Sequence, residues 1–351
     1  MSKFHTLTIK EFTKETKNAV SIAFEIPATL QREFQFKAGQ YINIKKTIAG
    51  EELRRAYSIC SEPKSGELRV AIKAVDNGTF SVFANTILKE GDTLEVQKPE
   101  GKFILETAAS NSKNYLGIAA GSGITPVIAM IKAVLTNEPH STFTLIYGNK
   151  TVDETIFKTE IDSLITKFPT KFKVQYVLSR ERQENALLGR IDTGTINYVV
   201  KNNFEKSNFD NAFLCGPEEM IQTAKATLLE NDFNESSILF ELFSTPIKAE
   251  TESRQTHKGM CEISVIVDDE ETTFEMDSNV TILTAALKKG IDAPFSCQGG
   301  ICTSCMAKVT KGKAIMENNS VLTDDEIEDG IVLTCQAHPT TPTIVVDYDE
   351  V

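Results

Sequence analysis

The sequence predicts a multi-domain protein with three folds in series: an antiparallel β-barrel, an α/β domain on a parallel sheet, and a smaller α+β unit. Three observations carry this. The 351 residues exceed what one ordinary domain holds. Short strand-like runs crowd the stretch from Phe4 to about Leu105, whereas from Asn114 onward apolar runs alternate with helical ones. Beyond a polar segment, four cysteines gather between positions 297 and 335.

In the first stretch the runs LTIKEF, AVSIAFEI, QYINIKK, RRAYSIC, ELRVAIKAV and TLEVQKP are separated by turn signals. Closely spaced short strands of this kind build a small antiparallel barrel over residues 1–108. In the second, YLGIAA, FTLIYG, KVQYVLS and NAFLCG alternate with PVIAMIKAVL, TIFKTEIDSLITKF and EEMIQTAKATLLEN, the pattern of a parallel sheet flanked by helices, over residues 109–244. Residues 245–259 contain Pro246 and no apolar periodicity, and read as a linker. The third unit, 260–351, opens with a hairpin, EISVIVDD and TTFEMD, followed by the helical TILTAALKKG and a cysteine loop.

The composition, 41% hydrophobic and 25% charged, is that of a globular chain with apolar material for several cores. No window approaches the roughly 18 apolar residues of a membrane helix, and MSKFHTLTIKEF lacks the pattern of a secretory signal, so a cytoplasmic location is expected. In such a setting seven cysteines are not expected to form a disulfide framework. The net charge of −12 is unevenly spread. Residues 261–351 hold 17 acids against 5 lysines, and the rest of the chain is balanced at 32 and 32. This argues against nucleic acid; it suits a docking surface for a basic protein partner, and it also serves solubility.

Cys297, Cys302 and Cys305 form C-x4-C-x2-C, and Cys335 follows thirty residues later. Four thiolates at this spacing are the plant-type pattern for a 2Fe-2S cluster. A zinc site more often pairs two C-x2-C knuckles, which this spacing does not offer. In SCQGGICTSC the small residues around Gly299 and Gly300 allow backbone amides to approach the sulfurs. Cys60 and Cys261 lie in or beside apolar strands, where burial is the ordinary role. His5, His140, His257 and His338 show no ligand spacing.

In Arg55-Ala56-Tyr57-Ser58-Ile59-Cys60 a cation, an aromatic ring and a hydroxyl are expected on one strand face, where they would meet a phosphate and a flat ring. Downstream, Asn77-Gly78 makes a turn and Thr79 and Ser81 enter a helix whose first amides suit an anion. The stretch Gly117-Ile118-Ala119-Ala120-Gly121-Ser122-Gly123-Ile124-Thr125-Pro126 follows a strand and opens a helix, so its glycines bring amides close to a pyrophosphate. Pro126 stands where the dehydrogenase fingerprint has its last glycine, and in a first helical turn its missing amide costs nothing.

Together these motifs resemble the ferredoxin-NADP reductase superfamily, and the cysteine loop narrows the match to oxygenase reductases with flavin, nucleotide and ferredoxin domains in that order. FHTLTIKEF, EELRRAYSIC, AIKAVDNGTFS, AAGSGITP, FTLIYGN and FLCGP are most similar to the reductase components of phenylacetyl-CoA epoxidase complexes. The resemblance spans essentially the whole chain. It implies a β-grasp fold for the third domain and FAD held by Arg55, Tyr57, Ser58 and Ile59, with Ile72, Lys73, Gly78, Thr79 and Ser81 around the diphosphate. A related group uses FMN with similar motifs; FAD is the expectation here.

For the nucleotide, the resemblance implies binding by Gly121, Ser122, Gly123, Thr125, Pro126, Gly216 and Pro217. Thr125 and Cys215 would lie beside the nicotinamide, Glu241 would help orient it, and Phe243 would cover the flavin ring. Ser179 and Arg180 stand where superfamily members distinguish NADPH from NADH, with Arg182 or Lys150 in support; NADPH is expected and NADH possible. The implied activity is an NAD(P)H-dependent oxidoreductase that feeds electrons through FAD and the cluster to an oxygenase docked on the acidic third domain, at Asp324-Asp325-Glu326 or Glu328-Asp329. Another ring-hydroxylating oxygenase, or a ferredoxin or flavodoxin, is the alternative acceptor. A non-catalytic redox sensor is the reading from another class.

Overall fold

The computed structural model describes residues 3–203, 209–243 and 259–351; most of the expected linker therefore lies outside the described residues.

The first domain contains β1 (Phe4–Thr16), β2 (Ala19–Glu25), β3 (Tyr41–Ile48), β4 (Glu51–Ser58), β5 (Leu68–Lys73), α1 (Thr79–Thr86) and β6 (Thr93–Gln97). The strands run in the order β4-β3-β6-β1-β2-β5, and an antiparallel bridge between Ile59 and Val70 joins the two ends, closing the barrel. Alternation dictates the inside: His5, Leu7 and Ile9 of β1 are buried while Thr6 between them is exposed. Two register shifts against β2, at Ile9/Glu11 and Lys14/Thr16, let this 13-residue strand bend around the barrel.

The second domain contains β7 (Asn114–Ala120), α2 (Ile124–Asn137), β8 (Thr142–Asn149), α3 (Lys158–Lys167), β9 (Phe172–Leu178), β10 (Ala186–Leu188), α4 (Thr193–Asn197), β11 (Asn211–Gly216), α5 (Glu218–Leu229) and β12 (Ile238–Leu242). Every strand pair is parallel, in the order β10-β9-β8-β7-β11-β12. The chain builds outward from β7 in one direction and later from β11 in the other, so the carboxyl ends of these neighbours form a topological switch point, where such sheets bind ligands. Helix α3 begins later than the apolar pattern suggests, because Phe157 takes a left-handed conformation (φ 60°) and is buried ahead of it. Helix α2 is apolar on nearly every side because its buried residues pack in one core with Phe143 and Phe213 of the sheet and Ala38, Cys60 and Phe103 of the barrel region. The two domains thus share a compact unit.

The third domain contains β13 (Met260–Val267), β14 (Glu270–Asp277), α6 (Ile282–Lys288), β15 (Met306–Lys311), β16 (Ala314–Met316), α7 (Asp324–Glu328), β17 (Ile331–Leu333), β18 (Ala337–Pro339) and β19 (Thr343–Asp347). Its main sheet has the order β14-β13-β19-β15-β17, with β13 and β19 parallel at its centre. The β13–β14 turn places Asp268 and Asp269 at φ 54° and 61°, and the Asp349 carboxylate accepts both of their amides. No helix among the described residues is long and apolar enough to cross a membrane.

Candidate functional site

At the switch point β7 ends in a tight turn, Gly121–Gly123, that leads directly into α2. Gly121 has φ 56°, a conformation glycine adopts without penalty. Gly123 is required for a different reason: a Cβ there would lie 2.1 Å from the Cys215 carbonyl oxygen and 2.8 Å from the Gly216 nitrogen. The turn is therefore pressed against the end of β11. No side chain caps the turn or α2, and the Ile124 amide is already donated to Gly121 O and Ser122 O, so the amides open to an anion are those of the turn itself, Gly121–Gly123. Thr125 is buried and its hydroxyl donates to Ser122 O at 3.0 Å, and Pro126 occupies the first turn, as its missing amide allows.

Two groups outside the glycine motif lie against this turn. The Tyr147 hydroxyl lies 3.1 Å from Gly121 O and 3.2 Å from Ile156 O, positioned to donate to either carbonyl. The signal was a tyrosine in the otherwise apolar run FTLIYG, since a buried phenol must find a partner. Lys73 lies on the other side, its Nζ 3.5 Å from where a Gly121 Cβ would be. Partial burial, then Lys150 and against them Glu154, sets the Lys73 pKa below the usual lysine range.

Cys215 pairs in register with Glu241 across β11 and β12. Its thiol is fully buried and pushed up by that burial and by the nearby carboxylate. Glu241 retains some surface as a residue, but its carboxyl is enclosed enough that desolvation raises its pKa to about 8, against a weak opposing pull from the Ser58 hydroxyl. Ser58 Oγ donates to Glu241 Oε2 at 3.2 Å. Near neutral pH the site thus holds a protonated carboxylic acid, beside a neutral thiol. Phe243, at the end of β12, is 40% exposed, an aromatic face that a flat ring would cover.

The expectation that Arg55, Tyr57 and Ser58 share one strand face needs correction. Arg55 is exposed and Tyr57 half-buried, but Ser58 is buried with the opposite parity, pointing to Glu241. Adjacent residues on a strand cannot face the same way. The Tyr57 ring lies 5.7 Å from that of Phe80 on α1. Ile59 and Ile72 are fully buried in the barrel core. Helix α1 has no side-chain cap at Gly78, Thr79 is exposed, and Ser81 Oγ accepts from Val75 N at 3.3 Å. Asn85 donates to Ile72 O and Ser81 O, tying α1 to β5, while its own buried oxygen has no partner. The backbones of Arg180 and Lys150 meet just beyond the carboxyl ends of β9 and β8, because Arg180 N donates to Lys150 O at 2.9 Å and Ser179 N to Asn149 O at 2.9 Å. Gly216 is tightly packed, since a Cβ would lie 2.7 Å from Met220 Cε, and Pro217 precedes α5.

These groups fit the two ligands expected of them: uncapped helix starts for diphosphates, cations beside one of them, and an exposed aromatic face with a carboxylic acid for the rings. Glu241 also makes a measurable prediction. The folded protein keeps this proton up to about 8 whereas the unfolded chain loses it near 4.5. Stability should therefore fall as pH rises between those values and level off above them. Glu241→Gln should remove this slope, so that thermal melts across the window show the variant gaining on the wild type as pH increases. Parallel curves would mean that the carboxyl ionises normally.

In the third domain the cysteine loop and the β17–β18 connection bring the four thiols together. Cys297 Sγ lies 3.1 Å from Cys302 Sγ, and Gly299 N donates to Cys297 Sγ at 3.4 Å. Hydrogen bonds from Cys302 and Cys335 draw the Cys297 pKa down, and Cys335 does the same for Cys305. Gly300 takes φ 75° and fits 2.8 Å, measured from an ideal Cβ, from Asn318 O. The loop is fastened by Thr334, whose N and Oγ1 both donate to Cys305 O at 3.0 Å, and by Gln336 Nε2, which donates to Gln298 O at 3.0 Å. No group of three or more His, Cys, Asp or Glu among the described residues is arranged about a single ion. Cys297 stands beside both Cys302 and Cys335, and Cys335 also stands beside Cys305, so the four thiols form one continuous group that fits the four-thiolate donor set of a 2Fe-2S cluster.

Comparison with known proteins agrees with this division. The chain matches the oxidoreductase FAD-binding domain over residues 6–104, the oxidoreductase NAD-binding domain over 118–226 and the 2Fe-2S iron-sulfur cluster binding domain over 265–340. It is 40% identical to a component of 1,2-phenylacetyl-CoA epoxidase from Escherichia coli (strain K12), over 99% of both chains. It is 29% identical to the ferredoxin reductase component of 3-ketosteroid-9-alpha-monooxygenase from Rhodococcus rhodochrous, over 97% of this chain and 96% of that one. Phthalate dioxygenase reductase, described as a modular structure for electron transfer from pyridine nucleotides to [2Fe-2S], has the same fold, with TM-score 0.62 and 23% identity over 98% of each chain. An oxidoreductase with FAD-binding, NAD-binding and 2Fe-2S domains, the chain belongs to the reductase family that includes this component of the Escherichia coli 1,2-phenylacetyl-CoA epoxidase.

Proposed function

We propose that this chain draws electrons from NADPH and supplies them to an oxygenase, the epoxidase of phenylacetyl-CoA named for its Escherichia coli relative, within phenylacetate catabolism. The observation that carries this reading is the coexistence of the glycine turn packed on Cys215 with a four-thiol loop, since one suits a hydride donor and the other a one-electron carrier. Bound FAD supplies the exchange between hydride and single electrons.

The chain's own residues bind and align. The amides of Gly121–Gly123, with Lys73 beside them, hold the nucleotide diphosphate, and Lys150 and Arg180 meet the 2′-phosphate with Ser179. Arg55 and the start of α1 with Thr79 and Ser81 hold the flavin diphosphate, Tyr57 packs against its ring, and Phe243 covers the ring until nicotinamide takes its place. Thr125 and Cys215 shape the nicotinamide pocket, and Glu241, steadied by Ser58, holds a proton there. Cys297, Cys302, Cys305 and Cys335 ligate the cluster. The functional divisions are residues 1–108, 109–244 and 260–351, joined by 245–259. Anaerobic titration tests the reading: NADPH should bleach the flavin faster than NADH at equal concentration and then reduce the cluster, and the oxygenase should turn over only when this chain is added. Flavin that stays oxidised under NADPH would overturn it.

The acidic third domain provides the docking face for a basic partner. On α7, Glu326 is already engaged, its carboxylate accepting the Thr323 amide at 3.0 Å in a capping box. Asp324, Asp325, Glu328 and Asp329 are the acids to neutralise. Their amide variant should weaken coupling to the oxygenase about tenfold at low salt, with the difference shrinking as salt screens the surface. NADPH-to-ferricyanide turnover should be nearly unchanged; an equal fall in both activities would make these acids structural.

A further inference from the structure

Ser296 immediately precedes the first ligand cysteine and is 2% exposed. Its hydroxyl is the one buried side-chain donor among the described residues of the third domain that has no hydrogen-bond partner. Among the other hydroxyl residues near the four cysteines, Thr334 donates to Cys305 O and accepts from Tyr348 at 2.8 Å, and neither Thr303 nor Ser304 is without a partner. A buried donor left without a partner bears its full desolvation cost, and native proteins seldom leave one without a group to receive it. The four thiols next to Ser296 mark where such a ligand would lie, and an iron-sulfur cluster is rich in negatively charged sulfur acceptors.

We propose that Ser296 Oγ donates a hydrogen bond to a sulfur of the 2Fe-2S cluster and raises the cluster's reduction potential. The inference rests on the reading of Cys297, Cys302, Cys305 and Cys335 as cluster ligands. Reduction adds one electron, breaks no bond and moves no proton, so the sulfurs become more negative and the same hydrogen bond strengthens. A donor that binds the reduced form better shifts the couple toward reduction, which is how hydrogen bonds to sulfur tune such clusters. Ser296 is thereby a tuning residue and not a ligand.

The test is a potentiometric titration of the purified full chain, followed by the cluster's visible and electron paramagnetic resonance signals, for wild type, Ser296→Ala and Ser296→Thr. Iron and acid-labile sulfide per chain are measured on each sample. At the wild-type midpoint, Ser296→Ala should show about a tenfold lower ratio of reduced to oxidised cluster, with cluster content unchanged. Ser296→Thr, which keeps the hydroxyl, should stay near wild type. An unaltered midpoint in Ser296→Ala with full cluster content would overturn the proposal. Should Ser296→Ala fail to assemble a cluster, resonance Raman spectra of the wild type decide: transfer to D2O should shift the iron-sulfur stretching bands in a phase as rapid as hydroxyl exchange, and the lack of that phase would overturn the proposal. Wild-type protein without iron or sulfide would instead refute the cluster reading itself.

Discussion

Gly123→Ala should lower the rate of flavin reduction by NADPH about a hundredfold or more, the scale on which displacement of a binding element by roughly an ångström is felt. The added methyl would meet Cys215 O at 2.1 Å, Cys215 C at 2.5 Å and Gly216 N at 2.8 Å. All three atoms are backbone, in a strand paired on both sides with β7 and β12, so no rotamer change can relieve the clash. Either the turn lifts from β11 or the end of β11 yields, and each movement separates the turn's amides from Cys215. The informative control is Gly121→Ala. There the nearest atom to the new Cβ is the flexible end of Lys73 at 3.5 Å, and the cost is chiefly that of φ 56°, about 1–2 kcal/mol. Anaerobic stopped-flow reduction across NADPH concentrations, with flavin content and melting temperature measured alongside, distinguishes a lost nucleotide site from a lost fold. A Gly123→Ala protein reduced at the wild-type rate would show that this turn does not align the nicotinamide.

These glycines illustrate what the sequence made legible. Their place after an apolar strand and before a helix announces a phosphate turn, because that inference needs only local order. It could not reveal that Gly123 is indispensable because of β11, about ninety residues later. Likewise the family resemblance implies Lys73 at the flavin diphosphate, and its place beside Gly121 as well is fixed only when barrel and sheet pack together. Strand β1 is legible because it alternates, as His5, Leu7 and Ile9 do, whereas β2 is buried along nearly its whole length and is read from its apolar run between turns. Strand β10 is three residues long and exposes Leu188, so it carries no pattern to read. The expectation that Ser58 shares a face with Tyr57 fails on strand parity, and its partner Glu241, 183 residues away, is visible only in the fold. The cluster cysteines lie at the other extreme, since the ligand spacing is nearly all local and only Cys335 must return from a separate strand connection.

That fourth cysteine is therefore where a single change should have the greatest effect. Cys335→Ser should give protein with little or no iron and sulfide and no detectable electron delivery to a one-electron protein partner, while NADPH-to-ferricyanide turnover through the flavin persists. Cys335 stands beside both Cys297 and Cys305, so it is the thiol that connects them. A serine hydroxyl there ionises far less readily than a thiol and is a poorer ligand for iron, and the remaining three thiolates leave one metal open to water and loss. The other cysteines supply the contrast. The Cys60 thiol donates to Arg69 O at 3.3 Å, and burial pushes its pKa up to about 12, which marks it as an inert packing group. Cys261 is buried in β13, away from the cysteine loop in sequence. Cys261→Ala should keep full iron and sulfide at a modest cost in melting temperature. Equal loss of cluster in Cys261→Ala and Cys335→Ser would trace the effect to the stability of the domain, whereas loss in Cys335→Ser alone ties the one-electron branch of the activity to the four thiols.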